Sequence, residues 1–369
     1  MRKLLEKKSF FLFGPRQTGK TSLIRNTLEN AIVYNLLESD AFLALSRRPA
    51  LLREENTKNG SLVVIDEIQK LPILLDEIHL LIEERNVRFL LTGSSARKLR
   101  RGGVNLLGGR ARSRNLNPFI SRELNDFNLL KALNHGLLPS IYFSDSPEED
   151  LASYAGDYLR EEIAAEGLTR NIPAFSRFLD VAAACNGQLV NYSKISSDAQ
   201  VARSTVQEYF QILQDTLVAH VLPAWKKTTK RKPITRAKFY LFDVGVARHL
   251  QHRGVLKHQS PEFGEAFETY IFHELKSYLD YTRSGTLCYW RSKSQFEVDF
   301  ILNDVTAIEV KAKQVVGSRD LRGMKALKEE ALLGNYLIVS LADRPRIVDG
   351  IKILPWRDFL DRLWDGEFL

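Results

Sequence analysis

The chain is 369 residues long, 44% hydrophobic and 27% charged, with a formal net charge of +8 and a pI near 9.3. This describes an ordinary globular composition with room for two or three domains, each burying a core. Membrane spans are excluded, since apolar runs such as SFFLF and SLVVI are strand-sized against the ~20 residues a spanning helix needs.

The basic start MRKLLEKKSF is followed by no apolar core or small-residue cleavage site, so no signal peptide is expected. Cys185 and Cys288 are far apart and form no CxxC pair, which suits a reduced, cytoplasmic protein. The basic balance favours a polyanionic partner without saying anything about fold.

The first predicted strand runs into Gly14-x-x-x-x-Gly19-Lys20-Thr21, and a helical pattern follows. That is the spacing of a phosphate-binding loop in its strand–loop–helix context. Its glycines let backbone N–H groups wrap phosphates, and the helix N-terminus favours their charge. The nucleotide-contacting segment is therefore Gly14, Pro15, Arg16, Gln17, Thr18, Gly19, Lys20, Thr21 and Ser22. Lys20 is expected to reach the β- and γ-phosphates and Thr21 to offer its hydroxyl to Mg²⁺. In SLVVIDEIQK, apolar residues reach Asp66-Glu67, as in a buried parallel strand ending in acids. Asp66 would help hold Mg²⁺, and Glu67 would polarise the attacking water. VRFLLTGSS ends in polar residues at the same edge, where Ser94, or else Thr92, would sense the γ-phosphate. In GGRAR, Arg110 or Arg112 is a candidate arginine finger, acting in cis or in trans, against the alternative of a solvated basic loop. Strand-like runs at 10–13, 32–36, 62–66, 88–92 and 112–116, with helical patterns between most of them, imply a parallel α/β core.

GPRQTGKT, VVIDEIQ, LLTGSSARKL, GGRA and LNPFISREL together resemble a large prokaryotic family of AAA-type ATP-binding proteins with an uncharacterised C-terminal domain. The resemblance runs along nearly the whole chain and implies ATP as the nucleotide. Only about eight residues precede the first strand, so no residue here can be named for adenine specificity.

After FSDSPEED the pattern turns helical. DYLREEIAAEGLTRN reads as an amphipathic packing or linker helix. Next, residues 175–225 read as three short helices and a strand. Tyr192–Gln200 and Ser204–Asp215 form the two elements of a helix-turn-helix, with Ser204 or Thr205 capping the second. Arg203, Thr205, Gln207 and Glu208 would face a major groove, and KKTTKRK (Lys226–Lys232) would track phosphates as a basic wing. The competing reading makes this winged helix a lid or subunit contact. His249, His252 and His258 have no cysteine or acidic cluster at ligand spacing and are read as non-metal.

In the last third, FGEAFETYIFHELKSYL is a helix. LCYWR, FEVDFIL and TAIEVKAK are strand-like, a helix surrounds LRGMKALKEE, and NYLIVSL is a further strand. Glu297, Asp299, Glu309 and Lys311 lie inside otherwise core-like strands, and buried unpaired charge is costly. Residues two apart on a strand share a face. This order, with Asp299 followed by Glu309-Val310-Lys311, resembles the PD-(D/E)XK nuclease superfamily, although the motif's proline is absent. The resemblance implies Asp299 and Glu309 as Mg²⁺ ligands and Lys311 beside the attacked phosphate. It adds Glu268 as a helix-borne ligand, with Glu274 in reserve. Against it stand a solvated face of cross-strand ion pairs and a nuclease-like scaffold that no longer cuts.

The expected architecture is α/β throughout. It comprises an AAA-type P-loop ATPase domain (1–145), a helical winged-helix middle domain (146–258) and a C-terminal restriction-endonuclease-like domain (259–369). The expected partners are ATP, Mg²⁺ and nucleic acid, DNA in the first place, with a protein partner or a homo-oligomer as further candidates and no membrane.

Overall fold

In the computed structural model, which describes all residues except 57, 98, 100–106, 163–170, 259 and 369, β1 (Ser9–Phe13) is buried at every position. Its alternation divides it between two cores. Phe11 and Phe13 join Val63, Ile65, Phe89 and Leu91, while Phe10 and Leu12 join Val64 and Leu90. A strand with no solvated face is what a parallel sheet covered on both sides demands. β2 (Ile32–Asn35), β3 (Leu62–Asp66), β4 (Arg88–Gly93) and β5 (Ala111–Asn115) complete a parallel sheet of order β2-β3-β4-β1-β5. The C-terminal ends of β1, β3 and β4 thus share one edge.

The chain separates into two compact units, residues 1–118 with 215–218, and residues 119–214 with 219–369. Residues 119–145, expected to complete the nucleotide-binding part, pack in the second unit. Leu124, Phe127, Leu133 and Tyr142 share a core with Tyr270, Phe300 and Phe359, because the amphipathic helix Leu129–His135 finds its apolar partner there.

Within the second unit, helices Ile172–Ala184 and Tyr192–Ala199 start at asparagines whose side chains accept the N–H groups of Ala174 and Lys194. Phe175, Phe178, Tyr209, Phe210 and Phe239 interlock edge to face across the three-helix cluster. The third helix spans Arg203–Asp215 and already includes Arg203, so Ser204 and Thr205 lie in its first turn and do not cap it. β6 (Ala219–Leu222) and β7 (Lys238–Leu241) pair antiparallel, with Leu189 bridging to Lys238. The helix expected from residue 157 is described to Glu162; residues 163–170 of it lie outside the described residues.

The segment joining β6 to β7 is not a free basic wing. Ala224 bridges Tyr289, the Trp225 N–H donates to the Tyr289 carbonyl at 2.7 Å, and Trp225 Nε1 donates to Asp304 at 2.6 Å. The Glu330 carboxylate accepts the N–H groups of Thr229, Lys230 and Arg231, each at 3.0 Å. Lys227 pairs with Asp304, and Arg231 with Glu329. A turn of cationic residues with unpaired amides is attracted to buried acid, and this loop spends its amides and the charges of Lys227 and Arg231 within the chain. Glu330→Ala should release it. Trypsin cleavage after Lys230 or Arg231 is expected to speed up about tenfold, at about 1–3 kcal/mol per orphaned amide less its rehydration, in a limited-proteolysis time course.

The long helix Glu262–Thr282 packs on a six-stranded sheet of order β12-β13-β11-β10-β9-β8. The strands are β8 (Leu287–Arg291), β9 (Glu297–Leu302), β10 (Thr306–Lys311), β11 (Asn335–Ser340), β12 (Arg346–Val348) and β13 (Ile351–Pro355). β8-β9-β10 are antiparallel neighbours, while β10-β11-β13 run parallel through the helix Arg322–Lys328 and a return loop. No described helix is long and apolar enough to cross a membrane.

Candidate functional site

Two clusters of polar side chains interrupt the apolar strands, one at strand ends and one within them. The first is at the C-terminal edge of the five-stranded sheet. The loop leaving β1 closes on Gly19, which takes φ 89° as N-cap of the helix Lys20–Thr27, a left-handed conformation suited to glycine. At Gly14 a Cβ would meet the Leu116 carbonyl oxygen at 2.3 Å, so only hydrogen fits. Lys20 is buried and donates to the carbonyls of Gly14 (2.7 Å) and Pro15 (2.9 Å), and the Thr18 hydroxyl also bonds Pro15 O at 2.8 Å. These bonds fold the lysine back onto the backbone of its own loop.

At the end of β3, Asp66 is buried and accepts from the Thr21 hydroxyl at 3.0 Å and from Thr92. Thr92, the second choice as γ-phosphate sensor, donates its hydroxyl to Asp66. Glu67 has φ 62°, which turns it off the strand, and its carboxylate accepts from Gln69. Gln69 Nε2 also reaches Ser94 Oγ at 3.2 Å, so one amide spans Glu67 and Ser94. Gly93 leaves room for this amide; a Cβ there would meet Gln69 Oε1 at 2.1 Å. Thr21 and Asp66 present hard oxygen donors side by side, which fits Mg²⁺ bound together with nucleotide phosphates. Arg16, Gln17 and Ser22 flank the loop, Gln17 with φ 63°.

The structure does not bring Arg110 to this edge. β5 runs parallel to β1 with Ala111 opposite Ser9 and Arg112 opposite Phe10. Arg110 thus flanks the start of β1, some four residues or about 13 Å of strand from the loop, where it pairs with Glu83 and holds that carboxyl below its usual range. The register therefore places neither Arg110 nor Arg112 beside its own chain's loop.

The second cluster lies on the six-stranded sheet. β9 pairs with β8 in one register at Glu297 and Val298 and in another at Ile301 and Leu302, so a bulge falls at Asp299–Phe300. Such a bulge re-aims a side chain. Pairing of β9 with β10 stops at Phe300–Ile308, and the Val310 N–H goes to Asp299 Oδ2 at 2.8 Å instead of to a strand carbonyl. Glu309 and Lys311 share a face as alternation requires, with Lys311 Nζ 2.5 Å from Glu309 Oε1. Glu268, on the long helix, accepts from the Tyr240 hydroxyl at 2.6 Å.

Burial, then the neighbouring Glu309 and Glu268, pushes the Asp299 carboxyl well above the usual range. Burial likewise raises Glu309, against the pull of Lys311. Burial opposes the charge on Lys311, yet Glu309 and Asp299 hold its ammonium above its ordinary value. The sequence pointed to these four groups but not to Lys238, at the start of β7. Its side chain is 5% exposed, and its Nζ lies 2.7 Å from Glu297 Oε1, 3.3 Å from Glu268 Oε1 and 3.9 Å from Asp299 Oδ1. Burial alone would lower Lys238, but Glu268, Tyr240, Asp299 and Glu297 hold it well above its usual value. A charge inside an apolar run, AKFYLF, was the available signal.

The expected Mg²⁺ site of Glu268, Asp299 and Glu309 does not fit this arrangement. An ammonium stands between the carboxylates, and no group of three or more His, Cys, Asp or Glu among the described residues is arranged to hold a metal. Glu274 is elsewhere: it is fully buried and accepts from the Ser121 N–H (2.7 Å), the Tyr270 hydroxyl (2.9 Å) and Trp364 Nε1 (3.0 Å). It is a structural carboxylate. Cys185 and Cys288 are free, half-buried thiols.

Residues 6–125 match the family model described as AAA domain, which supports an AAA-type ATPase for this stretch and suggests ATP binding. Residues 126–257 and 263–359 match two models, each described as a domain of unknown function (DUF8612 and DUF4143). Two similar curated proteins, Rv2008c of Mycobacterium tuberculosis and Mb2031c of Mycobacterium bovis, are both described as uncharacterized. Each is 26% identical over 306 residues, covering 78% of this chain and 66% of its own length.

Proposed function

We propose that the protein is an ATP-hydrolysing switch. Its first unit binds and cleaves ATP, and its second unit, a nuclease-like scaffold that does not cut in the arrangement described, reads out the nucleotide state. The observation that carries the ATPase reading is the assembly of Lys20, Thr21, Asp66, Glu67 and Ser94 at one sheet edge, joined through Thr21–Asp66 and Glu67–Gln69–Ser94. Lys20 would neutralise the β- and γ-phosphates, and Glu67 would orient the attacking water. Mg²⁺, held by Thr21 and Asp66, would supply charge neutralisation on the phosphate oxygens. Lys20→Ala should abolish measurable phosphate release from ATP, against a wild type that hydrolyses it. A wild type that binds no ATP would sink the reading.

The nuclease-like reading of the second unit is supported by its sheet, three antiparallel strands followed by parallel ones, and by the convergence of Asp299, Glu309 and Lys311 on it. We read the three helices with β6 and β7 as a winged-helix module that connects to this sheet. In its basic loop Lys227 and Arg231 pair with Asp304 and Glu329 while Glu330 holds three backbone N–H groups, which favours a scaffold over a DNA-tracking wing. Of the groove-facing candidates, Arg203, Gln207 and Glu208 are exposed and Thr205 is half-buried. Opposite charges at Arg203 and Glu208 suit a protein surface at least as well as phosphates.

A further inference from the structure

The acids of the six-stranded sheet already surround a cation. Glu268 comes from the long helix and Glu297 and Asp299 from β9, and their oxygens approach one point within 2.7–3.9 Å of Lys238 Nζ. Several carboxylates converging on a point describe what a divalent ion requires, but the occupant here belongs to the chain. The ammonium is set firmly. The Tyr240 hydroxyl holds Glu268 from beside it, and the Tyr289 ring centroid lies 5.5 Å from Nζ. Lys238 is also anchored through its backbone, paired with Leu222 and bridged to Leu189. It cannot swing out as a surface lysine would. Meanwhile Glu309 Oε2 is buried with no hydrogen-bond partner among the described residues, a spare oxygen ligand beside the cluster.

We infer that Lys238 is the resident cation of this cluster: while β7 is in place the second unit holds no divalent ion, and withdrawing the ammonium converts the same carboxylates into a divalent-metal site. The charge balance gives the reason. Glu268, Glu297, Asp299 and Glu309 face Lys238 and Lys311, with Arg291 on Glu297 at 3.4 Å. Removing Lys238 leaves buried carboxylates short of a counter-charge, which a bound divalent cation restores. The strand that carries Lys238 belongs to the hairpin of the middle part of the chain, so the hairpin acts as a plug for the sheet's acids. This inference rests on the geometry of the second unit and does not depend on ATP hydrolysis.

The test is Mn²⁺ binding, followed by calorimetry and by the electron paramagnetic resonance of free Mn²⁺, on the full chain stripped of metal and nucleotide. Any Mn²⁺ at the P-loop is common to every arm. Wild type and Asp299→Asn should bind the same amount. Lys238→Met should bind an additional Mn²⁺ and gain thermal stability from it, and Lys238→Met combined with Asp299→Asn should return to the wild-type count. A wild type that loses Mn²⁺ on Asp299→Asn, or a folded Lys238→Met that gains none, would overturn the inference. Should Lys238→Met not fold, wild type against Asp299→Asn decides alone: equal binding supports the resident lysine and a loss refutes it.

Discussion

Glu67→Gln is expected to slow ATP hydrolysis by about 10²–10⁴-fold, the usual contribution of a positioned acid–base group, while leaving ATP affinity within a few-fold. The separation follows from where the two acids sit. Asp66 is tied to Thr21 and Thr92, on the side of the loop where the proposed reading puts Mg²⁺. Glu67 is turned away by its left-handed backbone and is tied to Gln69 instead. Glutamine keeps the size of Glu67 and removes the charge that the proposed mechanism uses to orient water, so binding and chemistry come apart. Single-turnover hydrolysis beside binding of a fluorescent ATP analogue measures both quantities. Hydrolysis at the wild-type rate would assign the water to another group, and loss of binding would mean that Glu67 shapes the loop rather than the reaction.

The second large effect concerns stability. Glu274→Ala should destabilise the second unit by about 3–5 kcal/mol, because it removes one fully buried acceptor shared by three donors, the buried Tyr270 hydroxyl among them, and opens a cavity. Those donors, the Ser121 N–H, the Tyr270 hydroxyl and Trp364 Nε1, come from a loop, the long helix itself and the terminal helix Trp356–Trp364. One carboxylate therefore joins segments more than 240 residues apart in sequence, Ser121 and Trp364. Glu274→Gln keeps the volume and some acceptor capacity and should cost less than half as much. Urea unfolding of wild type and both variants, compared at equal m-values, gives the difference. A change under about 1 kcal/mol in Glu274→Ala would mean that water replaces the carboxylate.

Glu274 also shows where sequence reading stops. It lies in the same helix as Glu268, and both are glutamates in an apolar stretch. Nothing local distinguishes the one that joins the acid cluster from the one that ties loop to helix. The difference comes from the opposing surfaces, Tyr240 and Lys238 for one, Ser121 and Trp364 for the other. As a finger on its own chain's loop, Arg110 fails for a related reason. Its nearness in sequence to a strand suggested an approach to nucleotide, but a strand has two ends, and the parallel register puts Arg110 at the wrong one.

What the sequence determined by itself is local chemistry. The glycine spacing with Lys20 and Thr21, the acids ending an apolar run at Asp66-Glu67, and the continuous apolar runs of β1, β3 and β4 are legible because a turn, a helix start and a strand are each set within a few residues. Only the tertiary structure decided which charges meet. It placed residues 119–145 with the second unit, docked the basic loop on Glu330, and put Lys238 among Glu268, Glu297 and Asp299. Long-range pairing of charges depends on strand order, register and a bulge, and a one-residue shift in any of these would send the same side chains to different neighbours.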